Sequence, residues 1–233
     1  MLICAILKIK NALCIDGLKM KILNLYSCLG GNRYKWGEEH EITAVKLDAE
    51  LAILYQERFP GDTVIVGDAH QYLLDHYKEY DFIWSSPQCP THSRSRFARR
   101  STTTAVYPDL KLYEEVIFLD NYFEGKYCVE NVIPYYKPLI PAKKRGRHLY
   151  WTNFLLPTNL NERESSIMEG KNEVKKWCEF HEYDFFKYKG SQRIDKIARN
   201  LVDYEAGKTI LDTALGLIRN LKPEQTQLFQ DII

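Results

Sequence analysis

Residues 22–32, Ile22-Leu23-Asn24-Leu25-Tyr26-Ser27-Cys28-Leu29-Gly30-Gly31-Asn32, decide the architecture, because an apolar run feeds directly into paired glycines. Ile22–Ser27 reads as a buried strand. Gly30 and Gly31 read either as a plain tight turn or as a place where backbone approaches a nucleotide-like ligand. Outward from this stretch, short apolar runs alternate with helical patterns. Ile42–Leu47 is a second strand, and residues 49–58 put Leu51, Leu54 and Tyr55 on one helical face, with Asp48 as N-cap and Pro60-Gly61 as the stop. Thr63–Val66, Tyr80–Trp84 and Tyr127–Val129 read as further strands, with helices at Gln71–Tyr77 and Leu110–Tyr122. Strands joined by helices of this length form βαβ units, which predicts a mostly parallel sheet with helices on both faces. Ligands of such sheets bind at the carboxyl ends of the strands.

The remainder of the chain divides by composition. Residues 1–19 form an extension of uncertain status, with Met20 directly before the first strand as an alternative start; 20–154 form the main domain. Residues 155–196 are polar and charged with scattered aromatics such as Trp177, Phe180 and Phe185, and read as a small insert; 197–233 return to the core through an amphipathic helix at Glu205–Asn220.

Hydrophobic residues make up 45% of the 233, which excludes a disordered, collagenous or coiled-coil chain. No apolar stretch approaches the roughly eighteen residues that span a bilayer, and residues 1–8 lack the basic flank and cleavage site of a signal peptide, so a soluble protein without membrane contact is expected. The 32 Lys and Arg balance 31 Asp and Glu, so a nucleic-acid partner requires locally clustered positive charge. Six cysteines without a C-x-x-C pair or a His at zinc-ligand spacing argue against a metal site.

Each chemistry-bearing motif follows a strand. Asp48 suits either a ribose hydroxyl or an N-cap, and Asp68 in Gly67-Asp68-Ala69 suits either an adenine amino group or a cap. Cys89, in Ser86-Pro87-Gln88-Cys89-Pro90, stands in a rigid proline-flanked loop where a thiolate meets an electrophile. His92 reads equally as its base or as a polar surface residue. Glu130, in Cys128-Val129-Glu130-Asn131-Val132, enters the same crevice and suits proton donation. Arg145-Gly146-Arg147 brings an arginine beside that carboxyl.

Taken in order, the strand with its Leu-Gly-Gly turn, the acidic residue, Gly-Asp-Ala, S-P-x-C, E-N-V and R-x-R resemble the DNA cytosine-5 methyltransferases, particularly short phage-type members. The match covers residues 21–154 and resumes at Arg199-Asn200-Leu201-Val202. The resemblance implies a Rossmann-like class I S-adenosylmethionine-dependent methyltransferase fold, with 155–196 as a reduced target-recognition segment. It implies S-adenosylmethionine held by Tyr26, Cys28, Leu29, Gly30, Gly31, Asp48, Asp68, Ala69, Pro87 and Asn200, with no metal. It further implies Cys89 as nucleophile, Glu130 as proton donor, and Arg147 or alternatively Arg145 holding Glu130. The partner implied is double-stranded DNA, contacted by Arg94, Arg96, Arg99, Arg100, Lys143 and Lys144, by a monomer in the cytoplasm of a bacterial or phage-infected cell. Three positions depart from the family pattern: Cys28 replaces a glycine, Lys46 an acid, and Gln88 a proline or aromatic residue. A catalytically weakened DNA-binding homologue and an RNA cytosine-5 methyltransferase are the alternatives.

Overall fold

The structure is a computed structural model and describes residues 19–163, 167 and 170–218. The expected extension up to residue 18, with Cys4 and Cys14, and the end of the expected last helix lie outside these residues. Seven strands form one sheet in the order β3-β2-β1-β4-β5-β7-β6: β1 Lys21–Leu25, β2 Glu41–Lys46, β3 Thr63–Val66, β4 Phe82–Ser85, β5 Lys126–Val132, β6 Lys143–Arg145 and β7 His148–Thr152. β1 pairs parallel with both β2 and β4, and β4 parallel with β5. β7 is antiparallel to β5 and to β6, so β6 regains the direction of the main sheet. This is the Rossmann-like sheet of the class I methyltransferase fold, as the resemblance implied.

β1 is central because Ile22–Leu25 are fully buried, the apolar run of a parallel strand covered on both faces. The period-two alternation divides the core. Leu23, Leu25, Val45, Ile83 and Val129 pack on one face against α2 (Ala69–His76) and α4 (Lys111–Tyr122). Ile22, Ile42, Phe82, Trp84 and Tyr150 pack on the other, against α7 (Tyr204–Ala214). The chain leaves β1 toward β2 on one side and later returns to β4 on the other. The gap between the carboxyl ends of β1 and β4 is therefore the topological switch point, where a crevice opens.

Three features differ from the sequence expectation. Residues 143–152 form a hairpin whose two-residue loop is Gly146-Arg147, with Gly146 at φ +50 as such loops require. Residues 155–196 form no separate appendage. This segment carries α5 (Glu173–His181) and leads into α6 (Ile194–Arg199), and its Trp177, Phe185 and Tyr188 share one apolar cluster with Leu29, and with Leu51 and Leu54 of α1 (Ala49–Arg58). The last helix is shorter than expected because Gly216 follows it at φ +72, a left-handed stop. Among the described residues no helix is long and apolar enough to cross a membrane, and no cluster of His, Cys, Asp and Glu is placed to hold a metal ion.

Candidate active site

The parallel register pairs Ser85 with Val129, so the loop leaving β4 and the end of β5 emerge side by side. Asn131 fastens them, its Nδ2 donating to the Pro87 carbonyl at 2.9 Å. Beyond Pro87, the Cys89 carbonyl accepts the amides of His92 and Ser93, a turn that leads into α3 (Arg94–Ala98). Burial and the nearby Glu130 charge push the Cys89 thiol above its ordinary value, while Lys196 of α6 and Arg147 oppose them. Cys89 and Glu130 thus share one electrostatic environment, and both cations favour the thiolate. His92 is not on the surface: it is buried, with Nδ1 2.5 Å from the Tyr136 hydroxyl.

Glu130 is buried and faces His148, whose Nε2 lies 3.5 Å from Oε1. The arginines of R-x-R are engaged differently. Arg145 is buried and donates to the carbonyls of Lys144, Leu156 and Pro157, and Arg147 donates from the hairpin loop to the Arg199 carbonyl. Arg145 therefore anchors the chain after β7. Lys143 does the same, its ammonium bonding the Thr152 and Phe154 carbonyls, which removes it from the expected phosphate contacts.

At the switch point, Tyr26, Ser27, Cys28, Gly31, Ser86 and Asn200 line a narrow cleft, which brings the expected first and last cofactor motifs together. The turn after β1 is left-handed at Tyr26 (φ 54), Cys28 (φ 42) and Gly30 (φ 67). That conformation costs Cys28 about 1–2 kcal/mol, because it has a side chain where glycine has none. Burial also pushes its thiol up to about 11. The glycines serve the protein's own packing. A Cβ on Gly30 would lie 2.5 Å from the Phe59 ring, and one on Gly31 would lie 2.3 Å from the Val202 carbonyl oxygen. Leu29 is fully buried in the cluster beneath, away from the cleft.

Both acids take the helix-cap reading that the sequence left open. Asp48 caps α1 through the Leu51 amide, and its other oxygen accepts from Tyr188 and Gln192. Burial pushes its carboxyl up, but these hydrogen bonds outweigh that and hold it below its usual range. Asp68 caps α2 through the His70 amide and stays exposed, with Ala69 buried behind it. Lys46, in the place of the family's acid, is buried, with Nζ 3.3 Å from the centroid of the Tyr55 ring and without a hydrogen-bond partner. The cleft is narrow, about 20 Å³, and partly open to solvent. The polar groups lining the cleft come from Tyr26, Ser27, Ser86 and Asn200, the donor and acceptor types that a polar end of S-adenosylmethionine would need.

One further group at these strand ends has no motif signal. Glu115 of α4 is buried and accepts from Tyr26 (2.6 Å) and Ser85 (2.5 Å), with His70 Nδ1 at 2.9 Å. It ties the β1 turn to the end of β4, and only its position on an otherwise apolar helix face could have marked it. The Arg94–Arg100 run lies beside the Cys89 loop. Arg94 reaches the Pro134 carbonyl, while Arg96, Arg99 and Arg100 bond carbonyls of their own segment. Phe97 of the same run stacks on Tyr135 with ring centroids 4.6 Å apart. Lys144 is exposed.

No family model matches the chain, and no curated protein matches it. Among solved structures it is similar to a hypothetical protein of Thermus thermophilus (14% identity, 62% of this chain and 80% of that one, TM-score 0.39). It is also similar to an S-adenosylmethionine-dependent methyltransferase of Agrobacterium tumefaciens (15%, 51% and 40%, TM-score 0.38). A third is a DNMT2 variant of Spodoptera frugiperda (24%, 48% and 35%, TM-score 0.35). The fold assignment rests on the strand order described above.

Proposed function

We propose that this protein is an S-adenosylmethionine-dependent methyltransferase acting on C5 of a cytosine in duplex DNA, through a covalent adduct of Cys89. One observation supports the reading: β5, which carries Glu130, runs parallel beside β4, whose following loop carries Cys89; the Asn131–Pro87 hydrogen bond fastens the two, and the Glu130 charge acts on the Cys89 thiol. C5 of cytosine is a weak nucleophile. The Cys89 thiolate forms a bond to C6 while Glu130 gives a proton to N3, and the resulting enamine concentrates electron density on C5. The cofactor supplies the methyl group that C5 then takes. Transfer of the C5 proton to water, cleavage of the S–C6 bond to release the Cys89 thiolate, and return of the N3 proton to Glu130 complete the cycle. In this reading Tyr26, Ser86 and Asn200, which line the cleft at the switch point, hold the cofactor's polar end, and Asp68 its adenine. The target base is stacked within a duplex, so it must be flipped out to reach Cys89. In this reading the exposed Arg99, Arg100 and Lys144 contact the flanking phosphates.

Transfer of a tritiated methyl group to duplex DNA, with tRNA in parallel, tests the substrate. Label in DNA supports the proposal, and label in tRNA alone moves the activity to RNA. A second reading, a DNA-binding homologue with little activity, is favoured by one feature: Lys46 is buried where an acid is expected, and Asp48 is already fully engaged. Calorimetric titration with S-adenosylmethionine separates the two, since an enzyme binds it and the alternative does not.

A further inference from the structure

We propose that His148, rather than an arginine of the R-x-R motif, positions the carboxyl group of Glu130; this rests on the reading of Glu130 given above. The strand pairing is the first ground. Glu130 lies opposite Tyr150 and Val132 opposite His148, so Glu130 and His148 are diagonal neighbours on one face of the β5–β7 pair. Their side chains meet, with Nε2 3.5 Å from Oε1, and both residues are more than nine-tenths buried. The second ground is how the ring is oriented. Its Nδ1 faces Glu162 Oε1 at 3.6 Å, and the Tyr150 hydroxyl donates to that same oxygen at 3.2 Å. Nδ1 has no hydrogen-bond partner among the described residues. The ring is therefore held between two carboxylates, one at the crevice and one outside it. Arg145 and Arg147, by contrast, direct their guanidinium groups to backbone carbonyls.

The separation of 3.5 Å is long for a hydrogen bond, and such contacts shorten when substrate fills a site. With Oε1 held by His148, Oε2 of Glu130 is the oxygen left to address the base. Beyond the ring lies a cavity of about 430 Å³, bounded by Gly146, His148, Glu162, Arg163 and Trp177. That cavity is large enough to admit a free imidazole, which provides the test.

The experiment measures methyl transfer to duplex DNA by the full-length protein and its His148→Ala and His148→Gln variants, with and without added imidazole. A mispositioned proton donor lowers kcat by about a hundredfold while the KM values for cofactor and DNA hold within a few-fold. Added imidazole then restores a substantial part of kcat to His148→Ala and nothing to the wild type, an effect that lost packing does not produce. His148→Gln provides a second variant of similar shape if the alanine variant fails to fold. A wild type that transfers methyl groups, with kcat intact in both variants or lowered without rescue in His148→Ala, overturns the assignment alone. A folded wild type that methylates neither DNA nor tRNA overturns the reading of Glu130 and this assignment with it.

Discussion

The side-chain amide of Asn131 and the carbonyl of Pro87, 2.9 Å apart, join the strand that carries Glu130 to the loop that carries Cys89. Both residues are buried, so no water takes over when the bond is removed. Asn131→Ala is expected to cost about 1–3 kcal/mol of stability through the unpaired carbonyl. It is expected to lower kcat at least tenfold, with the KM for cofactor little changed, because the nucleophile loses its fixed distance to the proton donor. Thermal unfolding and steady-state kinetics read the two effects. A variant with unchanged kcat shows that this bond does not set the catalytic geometry.

Lys46 gives the protein a pH dependence of definite sign. Burial lowers its ammonium from 10.5 to about 7, so between these values the unfolded chain binds more protons than the folded one. Stability therefore rises as pH increases from about 7 toward 10.5, and the burial penalty is fully present below about 7. Lys46→Met replaces the amine with an apolar chain of similar length over the Tyr55 ring. This variant is expected to melt at higher temperature than the wild type at pH 7 and to lose most of that advantage at pH 10. A wild type and variant with parallel melting curves from pH 7 to 10 contradict the placement of a buried, destabilising ammonium here.

Arg99 and Arg100 are exposed and bond only carbonyls of their own segment, so their charge remains available to a polyanion. Neutralising a side chain that pairs with a phosphate reduces the slope of log affinity against log salt by about 0.9 for duplex DNA. Fluorescence anisotropy with a labelled duplex is expected to show that slope fall by about two units in the Arg99→Ala/Arg100→Ala double variant. An unchanged slope makes this run a solvated loop with no part in binding.

The parallel sheet is legible in the buried apolar runs at Ile22–Leu25 and Ile83–Trp84, and the Cys89 and Glu130 loops in the prolines and polar residues that follow strands. Three parts are not legible, each for a physical reason. The β6–β7 hairpin has short strands of mixed polarity, and its one local signal, Gly146 in a two-residue loop, reads as part of an arginine motif. His148 and Glu115 meet partners apart in sequence, Glu162 and Tyr26, which only the folded sheet brings near. Residues 155–196 read as an insert because their apolar residues are sparse. In the structure these few aromatics pack against Leu29, Leu51 and Leu54, so the cluster is built from two segments that each look incomplete alone. Paired glycines and acidic residues after strands are visible in the sequence, but the same residue types satisfy caps and close packing. Asp48 and Gly31 show that internal use directly.

The central claim is a covalent bond between Cys89 and C6 of cytosine, and its most direct test is mass spectrometry of the denatured protein after incubation with S-adenosylmethionine and a duplex containing 5-fluorocytosine. The fluorine cannot leave as a cation, so the adduct stays trapped after methyl transfer. The wild type is expected to gain the mass of the methylated strand, with the linkage mapped to Cys89, and Cys89→Ala is expected to gain nothing. A Cys89→Ala protein that still forms the adduct, or a wild type that methylates cytosine in DNA without ever forming it, contradicts the account.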